Sequence, residues 1–440
     1  MSAYVKRLAD YDIERLTEAV DAMFTASAFY GRIKPHMTVI LKPNLVMRSA
    51  PEEAIITHPN VTAAVAICLL RQGADVLVAE SGGGPYNTSI MKGTFRAGSY
   101  TESAEKYGFS LYTACKSTAV QLPEGKRCNT LTVTEPFVQP RETLVIDIAK
   151  LKTHGMMGYS GAVKNLFGVV PGLLKPELHS RYPEKEPFAE MLVDLCEYVH
   201  PDFSIIDAID AMEGDGPTGG QKRFVGALVG SESPYEADMV GAKLIDMKPE
   251  EILVLKNAQE RGLCAGKLSE IEVLGDDFEN IVVHDFKRAR SSSIDFTTRV
   301  PKFMQPLAKR ILTPYPKINT AQCVGCGKCA ESCPQHTITV REHKAHIEYS
   351  KCIHCFCCHE MCPKHVSRML CVCKNQLIAR YYRAARGRLP HGRHGDAVRV
   401  SLRPCARDAE RYGGGYTQVL EAAHPMRRAQ HGIQGCAVLF

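Results

Sequence analysis

Residues 144–154 read Leu-Val-Ile-Asp-Ile-Ala-Lys-Leu-Lys-Thr-His. Leu144 to Ile148, apolar but for Asp147, is a run of strand length, and beyond it the chain turns polar at Lys152-Thr153-His154. The same succession recurs on either side. Val39 to Leu41 runs into Lys42-Pro43-Asn44, Val76 to Ala79 into Glu80-Ser81-Gly82-Gly83-Gly84, and Ser204 to Ile209 leads through Asp207 to Glu213-Gly214-Asp215-Gly216-Pro217. Strand-length runs separated by helical or turn-rich segments predict an α/β domain, a largely parallel sheet with flanking helices.

The intervening helices are legible from their apolar spacing. Ile13, Leu16, Val20, Met23 and Phe24 share one face over residues 12–29. A second helix is expected with Asn60 as its cap, Val61, Ala64, Val65, Cys68 and Leu69 as its stripe, and Gly73 at its end. Pro234 to Asp246 and Pro249 to Arg261 read as helices, Ile271 to Leu274 and Ile281 to His284 as closing strands.

In open parallel sheets ligands sit outside the carboxyl ends of the strands, so the four polar clusters should converge. Lys42, Lys152 and Lys164 suit the clamping of carboxylate or phosphate oxygens, and His58, His154 and His179 the exchange of protons near neutral pH. Glu80, Asp207, Glu213 and Asp215 are candidates for a hard cation, for acid–base work or for pairing with those lysines. Gly82 to Gly84 would let backbone approach a ligand closely, and the glycine-bounded segment Gly161 to Gly172, which carries Lys164 and Asn165, is expected to loop over the crevice. Lys152, His154, Lys164 and His58 are thus the catalytic candidates, and Lys42, Asn44, Glu80, Ser81, Asn165, Glu213 and Asp215 the binding ones.

Composition narrows the classes. The chain of 440 residues is 45% hydrophobic and 23% charged, as ordinary globular proteins are. Val61 to Leu70 is far short of the roughly 18 to 20 apolar residues that span a bilayer, and no export signal is readable, so the expectation is a cytoplasmic protein without a membrane partner. The net charge of +6 is misleading, because residues 375–440 hold 11 Arg, no Lys and four acids, which leaves the rest of the chain near neutrality. The body therefore offers no electrostatic case for nucleic acid, and the Arg-rich tail, 374–440, reads as disordered or frameshifted.

Of 18 cysteines, nine lie between Cys323 and Cys362. Two runs share one template: Cys323-x2-Cys326-x2-Cys329-x3-Cys333-Pro334 and Cys352-x2-Cys355-x2-Cys358-x3-Cys362-Pro363. Paired zinc knuckles are the competing reading, but zinc sites show pairs of cysteines across a longer insert, whereas triples with a fourth cysteine before proline suit an iron–sulfur cubane. Thr337 to Val340 and Ala345 to Glu348 read as a hairpin between the two motifs. Over about residues 318–367 the segment resembles the bacterial two-cluster ferredoxins. That resemblance implies two [4Fe-4S] clusters, one on Cys323, Cys326, Cys329 and Cys362, the other on Cys352, Cys355, Cys358 and Cys333. Cys357, Cys371 and Cys373 fall outside the template.

Lys42-Pro43-Asn44, Thr57-His58-Pro59, Lys152-Thr153-His154, the Gly161 to Gly172 segment and Glu213-Gly214-Asp215-Gly216-Pro217 together resemble the family called domain of unknown function 362, over about residues 36–285. Its members often carry a C-terminal two-cluster ferredoxin module. The expected organisation is an α/β domain over 1–300, a Pro-rich linker over 301–317 and a ferredoxin domain over 318–373. The leading functional expectation is a redox protein whose clusters pass single electrons to an anionic small molecule or cofactor at the strand ends, served by a redox partner protein. In that reading His154 or His58 protonates the product. The alternatives are a non-catalytic electron carrier or iron–sulfur maturation partner, and a metal-dependent, racemase-like enzyme using His58, His154 and His179.

Overall fold

The computed structural model describes residues 2–289 and 315–370. The strands of the first part are Ser2–Arg7 (β1), Thr38–Pro43 (β2), Asp75–Val78 (β3), Ser110–Leu111 (β4), Ser117–Gln121 (β5), Thr130–Thr134 (β6), Leu144–His154 (β7), Gly158–Ser160 (β8), Phe203–Glu213 (β9), Gln221–Ser231 (β10) and Glu272–Gly275 (β11). The main sheet runs β11-β1-β10-β9-β7-β2-β3-β4, with β8 folded back on β7 and β5–β6 forming a separate hairpin. Neighbours from β9 through β7, β2 and β3 to β4 are parallel, as are β1 and β11, while β10 runs antiparallel to both of its neighbours. The sheet is thus mixed and mostly parallel.

The quoted stretch is its centre. All eleven residues of β7 are buried, as a strand covered on both faces requires. Alternate side chains enter different cores. Ile146 and Ile148 pack with Leu16 and Val20 of helix α1 (Ile13–Ala26) and Val65 of α2 (Pro59–Arg71). Val145, Ala149 and Leu151 join the core that contains Leu192 and Leu195 of the helix Lys185–Val199 and Val240 of the helix Pro234–Leu244. At roughly 1.5–3 kcal/mol for each fully buried Val, Leu or Ile, these two cores anchor the strand from both sides.

Several elements differ from expectation. His58, not Asn60, caps α2, its Nδ1 accepting from Asn60 N at 3.2 Å. The segment after Gly161 is no loop: it forms a short helix, Ala162–Asn165, and a 3-10 turn, Leu166–Val169. Asp238 holds its start, accepting from Ala162 N at 2.6 Å and Val163 N at 3.0 Å. Residues 281–284 form no strand, and β1 and β10 went unread because their polar ends mask the pattern. Pro249–Glu251 is a 3-10 turn before the helix Leu253–Glu260.

The cysteine-rich part is a small α+β unit. Tyr315–Ile318 (β12) pairs antiparallel with Ser367–Leu370 (β15), and Ile338–Arg341 (β13) with Lys344–Ile347 (β14), the expected hairpin. Each cysteine motif contributes one short helix, Lys328–Glu331 and Cys357–Glu360. Most of the expected linker, Cys371, Cys373 and the Arg-rich tail lie outside the described residues. Among the described residues no helix is long and apolar enough to cross a membrane.

Candidate functional site

A crevice opens at the carboxyl ends of β2, β3 and β7. Asn44, Glu80, Ser81, Lys152, His154, Lys164 and Asn165 line it, joined by Ser160, Lys175, His179 and Pro217. Its remaining wall comes from the cysteine-rich unit, as Cys357, Glu360 and Met361. The cavity measures about 80 Å³.

A chain of hydrogen bonds crosses its floor. Lys152 Nζ donates to Asn44 Oδ1 at 2.8 Å and to the Ile55 carbonyl at 2.7 Å. Asn44 Nδ2 donates to Asn165 Oδ1 at 2.9 Å, and Asn165 Nδ2 to Asp147 Oδ1 at 2.7 Å. Asp147 is wholly buried, its Oδ2 has no hydrogen-bond partner among the described residues, and burial drives its pKa well above the usual carboxylate range.

The other charges are sorted by their partners. Lys42 forms an ion pair with Glu80 behind the crevice, both buried. Gly168 packs on that pair, where an added Cβ would fall 2.5 Å from the Lys42 Nζ. Lys175 donates to the Ser81 carbonyl, to Ser81 Oγ at 3.2 Å and to the Gly82 carbonyl at 3.2 Å. Burial brings Lys175 down to about 7, and burial with repulsion from Lys150 and Lys164 does the same to Lys152. Lys164 has no hydrogen-bond partner among the described residues; its ammonium lies 5.0 Å from the Phe167 ring centre and 5.9 Å from that of Phe188. Burial lowers its pKa as well.

His154 is committed on both sides. Its Nδ1 accepts from Met156 N at 3.1 Å and Met157 N at 3.3 Å, so the proton sits on Nε2, which faces Glu360 Oε1 at 3.3 Å. Burial pushes the imidazole well below its ordinary value and the Glu360 carboxyl up. His179 stacks on Phe188 with ring centres 4.4 Å apart, its buried Nδ1 has no hydrogen-bond partner among the described residues, and burial lowers its pKa to about 3.

Gly83 and Gly84 line the crevice and also receive Met361 of the cysteine-rich unit, which reaches Gly219 as well. A Cβ on Gly83 would lie 2.5 Å from Met361 Sδ, and one on Gly219 2.7 Å from His359 Cε1. His359 is fixed between carbonyls, Nδ1 2.7 Å from Ser367 O and Nε2 3.0 Å from Asp215 O. Thr218 Oγ1 donates to the Glu360 carbonyl at 3.0 Å.

Besides Lys42, which lies behind it, the candidates His58, Asp207, Glu213 and Asp215 do not line the crevice. His58 stacks on Tyr11, ring centres 3.8 Å apart, and its backbone N–H donates to Asp207 Oδ2 at 3.0 Å. There Asp207 also pairs with Lys150 at 2.9 Å, forming a buried cluster that ties α2 to the sheet. Glu213 accepts from Lys287 N at 3.0 Å and pairs with its Nζ at 2.9 Å. Asp215 contributes its carbonyl to His359. Nor do His58, His154 and His179 converge: among the described residues no group of three or more His, Cys, Asp or Glu could hold a single metal ion. Conversely, the crevice takes in Lys175, Glu360 and Met361, which carry no sequence signal, and Cys357, which falls outside the cysteine template. Lys175 sits in a segment with no motif, and the other three look like filler between cysteines.

In the cysteine-rich unit the two motifs interlock. One cavity is lined by Cys323, Cys326 and Cys329 of the first motif with Cys358 and Cys362 of the second. Another is lined by Cys352, Cys355, Cys357 and Cys358 with Cys333 of the first. Each triplet thus meets the fourth cysteine of the other, the donor set that two cubanes would require.

Comparison with known proteins agrees with this architecture. Residues 39–243 match the family described as domain of unknown function (DUF362), and residues 315–363 match the 4Fe-4S dicluster domain. Over 235 residues the chain is 34% identical to the thylakoid-associated protein sll1697 of Synechocystis sp., covering 52% of this chain and 69% of that protein. A lactate racemase apoprotein from Thermoanaerobacterium thermosaccharolyticum superposes at a TM-score of 0.34 with 14% identity, over 55% of each chain. With the ends of β2, β3 and β7 lining one crevice and the cysteine-rich unit forming its outer wall, the chain belongs to the DUF362 family and carries a 4Fe-4S dicluster domain.

Proposed function

We propose that the protein holds two [4Fe-4S] clusters and exchanges single electrons between a redox partner protein and an anionic small molecule or cofactor in the strand-end crevice. Cys323, Cys326, Cys329 and Cys362 would hold one cluster, and Cys352, Cys355, Cys358 and Cys333 the other. Bound clusters supply one-electron redox chemistry. One observation carries the reading: the helix Cys357–Glu360, which includes a proposed ligand, is also a wall of the crevice.

The chain's own residues supply the rest. Lys152, Lys164 and Lys175 favour a negative ligand, and Glu80 is already engaged by Lys42. Lys42 and Lys152 are wholly buried, which supports a small-molecule site over recognition of a protein surface by these lysines. Glu360 and Met361 line the crevice from the side of the cysteine-rich unit. Anaerobic purification with iron and sulfide counting, followed by EPR and a screen of small anions for reoxidation of the reduced protein, tests the reading. Markedly fewer than two clusters per chain, or reoxidation unchanged by Lys164→Met, refutes it.

A further inference from the structure

We propose that Lys152 is the proton-exchanging group of the crevice, acting on a small monocarboxylate whose charged end is anchored by Lys164. The ligand part of this inference rests on the anionic reading above; the role of Lys152 stands on its own geometry.

The hydrogen-bond polarity under Lys152 is imposed from below. The Lys42 carbonyl, 3.2 Å away and unable to reverse, takes the amide N–H of Asn165 together with the Asp147 carboxyl, so Asn165 presents its oxygen to Asn44 Nδ2, and Asn44 can present only its oxygen to Lys152. The second acceptor, the Ile55 carbonyl, is backbone and cannot reverse. Two N–H groups of Lys152 are therefore committed whichever charge it carries. The third position, in a residue that lines the cavity, is a lone pair in the amine and an N–H in the ammonium. A proton can come and go there without disturbing either bond. An imine keeps at most one N–H and would forfeit one of them, so the geometry selects proton exchange over Schiff-base chemistry.

Both forms are accessible near neutrality, since burial brings the group to about 7. The charges that face it are Lys150 on its own strand, Lys164 on Ala162–Asn165, Glu80 beyond β3 and Glu360 from the cysteine-rich unit. The competing groups are occupied. His154 has both nitrogens engaged, Lys175 is held by three acceptors, Lys42 by Glu80 and the Pro43 carbonyl at 3.1 Å, and His58 is elsewhere.

Lys164 is the ammonium left without an acceptor among the described residues, stabilised by two aromatic faces. Lys42 is paired with Glu80 and Lys175 is held by three acceptors, so among the described residues Lys164 is the ammonium that the crevice offers to an anion, which suits one carboxylate better than a doubly charged phosphate ester. The cavity of about 80 Å³ has room for on the order of five to eight water-sized groups. The transfer itself takes a proton from an O–H, or from the C–H next to the carboxylate, onto Nζ. It leaves the ligand's anion and the lysine ammonium, and the reverse step restores both.

Carbamylation by cyanate, followed residue by residue with mass spectrometry on the anaerobic holoprotein, tests this without any turnover assay. Lys152 is expected to reach half its limiting reactivity near pH 7, while exposed lysines still gain reactivity about three units higher. Acetate should protect Lys152 in the wild type and lose at least tenfold of that effect in Lys164→Met, in which the neutral-pH labelling persists. Reactivity rising only with the exposed lysines, or an unlabelled Lys152, overturns its role. Protection by inorganic phosphate and not by acetate overturns the carboxylate assignment. Protection by neither, with labelling near pH 7 intact, overturns the anionic reading and leaves the proton exchanger standing.

Discussion

His154, the last residue of β7, meets Glu360 of the second cysteine motif with Nε2 3.3 Å from Oε1. The contact joins the end of the central strand to the helix Cys357–Glu360, so the crevice and the cysteine-rich unit are built on one another. Because two backbone N–H groups already fix the imidazole, its Nε2 can point nowhere else.

That coupling is measurable. His154→Ala and Glu360→Gln should be non-additive in anaerobic thermal denaturation, with an interaction energy on the order of 1 kcal/mol. Additivity to within about 0.3 kcal/mol would mean that the two side chains do not act as a pair.

Glycine substitutions should separate a rigid neighbour from a flexible one. An added Cβ at Gly219 meets His359, which carbonyls hold at both ring nitrogens, whereas at Gly83 it meets the end of Met361. Gly219→Ala should cost about 1–3 kcal/mol and Gly83→Ala markedly less. Equal losses in denaturant unfolding would show that His359 is free to move.

Removing one partner of the buried pair under the crevice strands the other. Lys42→Met should destabilise by about 3–5 kcal/mol because Glu80 is left buried without its cation, and Lys42→Met with Glu80→Gln should recover most of that loss. A double variant no more stable than the single one would place the cost elsewhere.

The fourth cysteines are crossed between motifs. Cys362→Ser should disturb the site of Cys323, Cys326 and Cys329, and Cys333→Ser that of Cys352, Cys355 and Cys358, each lowering iron by about four atoms per chain. EPR of the two reduced variants should lose different signals. Loss of the same signal in both contradicts the crossing.

Lys152 should leave a pH signature in stability. Burial holds its folded pKa at about 7, against roughly 10.4 in an unfolded chain. Below pH 7 both states are protonated and the burial penalty is complete. Between the two values the unfolded state binds more protons, so stability rises with pH by about 1.4 kcal/mol per unit. Relative to Lys152→Met, the wild type should therefore gain on the order of 2–3 kcal/mol between pH 7.5 and 9.5. A difference that does not vary with pH would sink the assignment.

How much was legible varies by element for physical reasons. β7, β2, β3 and β9 were readable because central strands are apolar over a strand length and end abruptly in polar residues. β10 was not, since its first half, Gln221 to Phe224, is largely exposed and carries Lys222 and Arg223. The Gly161 segment reads as a loop because its small residues hide a helix begun by Asp238, over 70 residues away.

The order of residues alone determined the class of sheet, the strand ends at which the crevice lies and the eight cysteines of the repeated template, because strand periodicity and ligand spacing are local properties of a chain. Only the tertiary structure decided that His58 and Glu213 stay outside, that Lys175 and Glu360 enter, and which lysine keeps an open position. Those outcomes depend on distances between residues far apart in sequence, and a side chain's charge and free valence are set by the neighbours that folding brings to it.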